Sequence, residues 1–113
     1  MMDGPRVYNL FPSLVGTVDA WRAELPRIAD MGFNWIFLNP FHLPGFSGSL
    51  YAVKDYFRLN PLLNGSSKTP PARVLGAFVR DAQECGLDVM MDLVINHTSK
   101  DAELVKRHPE WYL

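Results

Sequence analysis

Apolar and polar positions along this chain alternate between two periods. The run "RVYNLF" (6–11) is β-branched and aromatic and reads as a strand ended by Pro12. In "TVDAWRAELPRIADMG" (17–32) the period lengthens, and Trp21, Leu25 and Ile28 fall at i, i+4, i+7 on one helical face. Thr17 suits the N-cap and Gly32 the C′ position. Pro26 removes one backbone bond from the helix interior, which predicts a kink there or a later start. "FNWIFLNP" (33–40) is apolar at nearly every position, the pattern of a strand covered on both faces.

A stretch of about thirty residues rich in Gly, Ser, Pro and aromatics follows, read as a long functional loop pinned by its rings. Tyr56 and Phe57 are expected to do that pinning. Pro70 and Pro71 open a helix over 72–86 with Val74, Phe78 and Ala82 on one face, stopped at Gly86. "LDVMMDLVIN" (87–96) is the third strand, and a short helix is expected from Ser99, halted before Pro109. The order β-α-β-loop-α-β-α predicts an α/β fold with a parallel sheet and right-handed crossovers. It does not separate a doubly wound sheet from part of a barrel.

At 113 residues the chain suits one small domain, with an ordinary 48% of apolar residues and a formal charge of −1. That balance offers nothing to nucleic acid or to an anionic membrane surface. No apolar run approaches the roughly 18 to 20 residues that span a bilayer, and the N-terminus lacks the pattern of a secretory signal, so the expectation is cytoplasmic. The single cysteine, Cys85, excludes an intrachain disulfide and reads as an inert core thiol.

In α/β folds chemistry collects on the loops that follow the strands. Asp92 is an acid within an apolar strand, and burial there would require a partner. Asn96 and His97 at the strand exit offer two donors and an acceptor, which suits a hydroxyl-rich ligand. Tyr51, beside Gly48 and Ser49, has room above its ring for the apolar face of a sugar. Asp92, Asn96, His97 and His108 make a conceivable metal set, richer in oxygen than zinc prefers and closer to calcium. "GFSGS" (45–49) is a weak anion nest, because no helix opens behind it.

"DLVINH" (92–97) resembles the first motif of the α-amylase superfamily of glycoside hydrolases, an Asp followed four and five residues later by Asn-His. "GFNWIFLNPF" is similar to the family's second strand, "SGSLYAVKDYFRLNP" to its substrate-facing loop, and "HPEWYL" to the segment after strand three. The resemblance implies the β-α-β-α-β portion of a (β/α)8 TIM barrel, three of eight strands, with residues 1–113 forming one partial domain. It implies that His97 and Tyr51 bind the sugar at the cleaved bond. Asp92 would brace an arginine, Asn96 would support this corner and ligate calcium, and Asp55 would also support the site.

Retaining glycosidases need a nucleophile and an acid/base about 5 Å apart. In the family these come from strands four and five. The remaining acids of this chain lie mostly on helices, so neither catalytic carboxylate is expected here. The implied function is part of a retaining α-glucan-active hydrolase or transglycosidase, similar to maltosyltransferases. Its implied partners are an α-glucan or maltooligosaccharide, with self-association or contact with the rest of a barrel. The alternative is a non-catalytic carbohydrate-binding or self-assembling β/α module.

Overall fold

The computed structural model describes residues 4–65 and 68–113. Three strands, β1 (Val7–Leu10), β2 (Trp35–Leu38) and β5 (Asp88–Met91), form a parallel sheet in the order β1-β2-β5. The register runs Val7↔Trp35↔Asp88 to Leu10↔Leu38↔Met91, so the three strands end level. Helices α2 (Val18–Asp30) and α4 (Pro71–Glu84) make the crossovers and pack against each other.

The predicted helical faces are the ones that form the core. Trp21, Leu25 and Ile28 of α2 and Phe78 and Ala82 of α4 are buried with Leu10, Ile36, Leu38 and Leu87. Each large apolar side chain buried this way contributes about 1.5–3 kcal/mol. The Trp21 indole also donates to the Gly16 carbonyl at 2.9 Å, which ties α2 to the short helix α1 (Pro12–Val15). α2 starts at Val18, as the Thr17 cap predicts, and runs through Pro26 without interruption. Pro26 and Arg22, whose carbonyl loses that bond, are both exposed, so water replaces the missing donor.

β2 departs from expectation. Ile36 and Leu38 are buried against the helices, whereas Trp35 and Phe37 on the opposite face are half-buried. One face of the sheet is covered, and the other carries Val7, Asn9, Trp35, Phe37, Asp88 and Met90, none of them buried.

The segment expected to be a loop holds a hairpin, β3 (His42–Pro44) paired antiparallel with β4 (Val53–Leu59), and then α3 (Pro61–Asn64). The pairing slips between His42, Leu43 and Pro44, which hides its period from the sequence. Tyr56 anchors β4 by donating to the Val94 carbonyl at 2.5 Å. Phe57 does not pin anything, because its ring is 87% exposed. The tail forms α5 (Glu103–Arg107) and a 3-10 turn, Pro109–Trp111. Ser99 does not cap α5: its amide donates to the Val53 carbonyl at 2.9 Å and its hydroxyl to Asp101, so the helix begins four residues later. Among the described residues no helix is long and apolar enough to cross a membrane.

Candidate functional site

The level strand ends put Asn39 and Asp92 at one edge of the sheet, each one residue past its strand. Asn39 is buried and joins two elements: its Oδ1 accepts from Asn9 Nδ2 at 2.6 Å, and its Nδ2 donates to the Tyr51 hydroxyl at 2.9 Å. Tyr51 is thereby held at the C-terminal end of β2 with its residue 39% exposed. Ser47 and Ser49 hydroxyls accept from the Ser49 and Tyr51 amides, and Gly48 at φ 76° makes the turn that carries the ring. Sequence reasoning missed Asn9 and Asn39. Their signal was present: an amide within each of two otherwise apolar strand runs, "VYNLF" and "FLNP".

Asp92 stands outside its predicted strand, since β5 ends at Met91. Its amide still donates to the Leu38 carbonyl at 2.8 Å, continuing the ladder by one bond. The residue is half-buried rather than buried, and among the described residues its carboxylate has no hydrogen-bond or ion-pair partner. The physical reason is the open position of β5 at the side of the sheet, which leaves solvent to hydrate the charge.

Asn96 and His97 are exposed and line a cleft of about 700 Å³ together with Tyr56, Thr98, Trp111 and Tyr112. Thr98 and Tyr112 hydroxyls bond at 2.9 Å across its wall. Tyr51 is not among the lining residues of this cleft, so the two predicted sugar contacts share an end of the sheet without sharing a cavity. Asp55 lies on β4, where its Oδ1 accepts from the Phe57 amide at 2.8 Å, and it lines a different cleft with Lys54, Glu103 and Arg107.

His42, a residue the sequence did not single out, is buried on β3 with its Nε2 unpartnered among the described residues. Burial pushes its imidazole below the ordinary 6.5; the Tyr56 backbone and the charge of Asp55 act against that. Asp101 is held below the usual carboxylate range chiefly by the Ser99 hydroxyl.

The four-residue metal set does not assemble. Among the described residues no group of three His, Cys, Asp or Glu side chains could hold an ion. His108 instead stacks on Trp111, with centroids 3.8 Å apart and planes 5° from parallel, and its Nδ1 lies 3.0 Å from Glu110.

Three parallel strands joined by helical crossovers define a parallel α/β architecture. Residues 2–112 match the family described as glycogen debranching enzyme, glucanotransferase domain, and the chain belongs to the α-amylase superfamily. It is 32% identical over 86% of its length to an α-1,4-glucan:maltose-1-phosphate maltosyltransferase of Mycolicibacterium smegmatis, covering 16% of that protein. It is 28% identical over 97% of its length to a probable α-glucosidase of Rhizobium meliloti, covering 19% of it. The chain thus spans less than a fifth of the length of these curated relatives. Among solved structures it superposes on an α-amylase of Lactobacillus plantarum with a TM-score of 0.83, at 32% identity over 96% of this chain and 27% of that one. The match to a maltogenic α-amylase of Thermotoga neapolitana has a TM-score of 0.85 at the same identity and coverage.

Proposed function

We propose that this chain supplies the sugar-binding side of a retaining α-glucan-active glycoside hydrolase or transglycosidase. The reaction would be hydrolysis of an α-1,4-glucan or maltosyl transfer. In this reading residues 1–113 are one partial domain, and β1, β2 and β5 are the first three of the eight strands of a (β/α)8 barrel. The observation that carries it is the level ending of three parallel strands, with Tyr51 bonded to Asn39 at that end.

Tyr51 stacks on the sugar ring at the cleaved bond, and His97 binds one of its hydroxyls. Asp92 braces an arginine that the described residues do not bring to it, and Asn96 and Asp55 support the corner. The reading assigns neither nucleophile nor acid/base to this chain, because the resemblance gives Asp55 and Asp92 supporting roles. The maltosyltransferase relative supports the transfer alternative.

The test is to incubate the purified chain with maltoheptaose, following binding by calorimetry and products by chromatography. Saturable binding with unchanged substrate is expected. Shorter or longer glucans would overturn the assignment of no catalytic carboxylate, and absence of binding would overturn the sugar-binding role.

A second reading, a self-assembling β/α module, is favoured by one observation. Met91, Leu93 and Ile95 leave apolar surface exposed along and beyond β5.

A further inference from the structure

We infer that Asn9 and Asn39 form a one-way amide relay that fixes Tyr51 as a hydrogen-bond donor toward an acceptor oxygen of the bound sugar. The inference deepens the sugar-binding reading of Tyr51 and rests on it. An amide side chain can face either way, so its direction must follow from groups that cannot turn. The Phe37 carbonyl is such a group: it only accepts, and it lies 3.3 Å from Asn9 Nδ2.

That contact fixes the nitrogen of Asn9 toward β2. The same nitrogen lies 2.6 Å from Asn39, so the Asn39 atom facing it is the oxygen. The Asn39 nitrogen must then face Tyr51, at 2.9 Å, and the phenol oxygen accepts.

A phenol that accepts from Asn39 keeps its own hydrogen. That hydrogen has no acceptor among the described residues. Asn39 is buried between the exposed Asn9 and Tyr51, so its amide is shielded from water and holds its direction through these two bonds. The half-exposed ring of Tyr51 therefore presents an O–H donor whose direction is set from β1, two elements away. A sugar hydroxyl oxygen or a glycosidic oxygen is the complementary partner; a group that can only donate is not.

The variant Asn39→Asp tests the polarity. It keeps the shape and still accepts from Asn9, but it replaces the donor to Tyr51 with a second acceptor. The Tyr51 O–H then turns inward to the carboxylate. Loss of one hydrogen bond to the ligand predicts that the Kd for maltoheptaose rises by about tenfold, as it does for Tyr51→Phe. In the Tyr51→Phe background Asn39→Asp should add nothing, because both act through one hydroxyl.

Wild-type affinity in Asn39→Asp, or losses that add in the double variant, would overturn the inference. A second readout needs no sugar: the Asn39 side-chain amide protons should show NMR contacts to the Tyr51 ring and exchange faster in Tyr51→Phe. Contacts to Asn9 instead would reverse the polarity and sink it. A wild-type chain that shows the Tyr51 contacts yet binds no maltoheptaose would overturn the functional reading and the sugar partner, but not the polarity of the relay.

Discussion

At the scale of single residues, His42 makes the pH dependence of the fold specific. Its imidazole packs 4.8 Å from the Phe41 ring and 5.4 Å from the Tyr56 ring, and its Nε2 meets no partner among the described residues. Burial lowers its folded value below the ordinary 6.5, with the Tyr56 backbone and Asp55 opposing more weakly. The unfolded chain therefore takes up a proton first as pH falls. Stability is complete above about pH 6.5 and declines below it until the folded imidazole also protonates. His42→Gln should flatten this part of the curve of urea midpoint against pH between about 7 and 5. Parallel curves for variant and wild type would show that another group carries the dependence.

The residues singled out from the sequence are those whose chemistry stands out from their surroundings. Asp92, Asn96 and His97 form a motif in a run of apolar neighbours, and Tyr51 sits among small residues. What could not be read was their environment. Asp92 is half-exposed because β5 lies at the side of the sheet, and strand order is a property of pairing rather than of local pattern. Asn39 escaped notice for a related reason. Its role depends on Asn9, thirty residues away, and on a loop tyrosine.

At the scale of elements, period separates what was read from what was not. α2 and α4 repeat their apolar residues at helical spacing, and those residues became the core. The β3–β4 hairpin has no such repeat. Its register slips twice, and its ends are held by contacts from the distant segment after β5. Gly45 is the tightest of these contacts. A Cβ on Gly45 would collide with Ser99 Oγ and Cβ and with Asp101 Oδ1, while Asp101 also accepts from the Phe46 amide at 3.4 Å.

Gly45→Ala must push the Ser99–Asp101 segment away, and overpacking of this kind costs about 1–3 kcal/mol. The strain should be local. Hydrogen exchange should show loss of protection at the Ser99 amide, which donates to Val53, before any change in α2 or α4. Unchanged protection at Ser99 would mean that the hairpin does not depend on this contact.

At the scale of the whole molecule, the shape follows from a sheet covered on one face. The radius of gyration is 15.5 Å, against about 13 Å for a compact domain of this length. The thinnest dimension, 21 Å, is that of two layers. Apolar surface remains at Met91 (43% exposed), Leu93 (50%) and Ile95 (83%), beside the open side of β5.

Open strand edges and apolar rows of this kind pair with a second copy. The magnitude decides how tightly. Covering what is left of three such side chains contributes about 3–5 kcal/mol on each copy, or about 6–10 kcal/mol for the pair. Association costs at least about 4 kcal/mol in lost translational and rotational freedom. The surplus before edge hydrogen bonds are added is at most about 6 kcal/mol, so the expected dimer is weak. Sedimentation equilibrium should show a monomer at about 10 μM and a rising average mass toward about 1 mM, the range of a contact with so little surplus. Ile95→Lys removes the most exposed of the three and adds a like charge on both copies. It should hold the chain monomeric across that range, with an unchanged far-ultraviolet spectrum. A mass that rises equally in Ile95→Lys would place the contact elsewhere, and a tight dimer at 10 μM would mean that much more surface than this edge is covered.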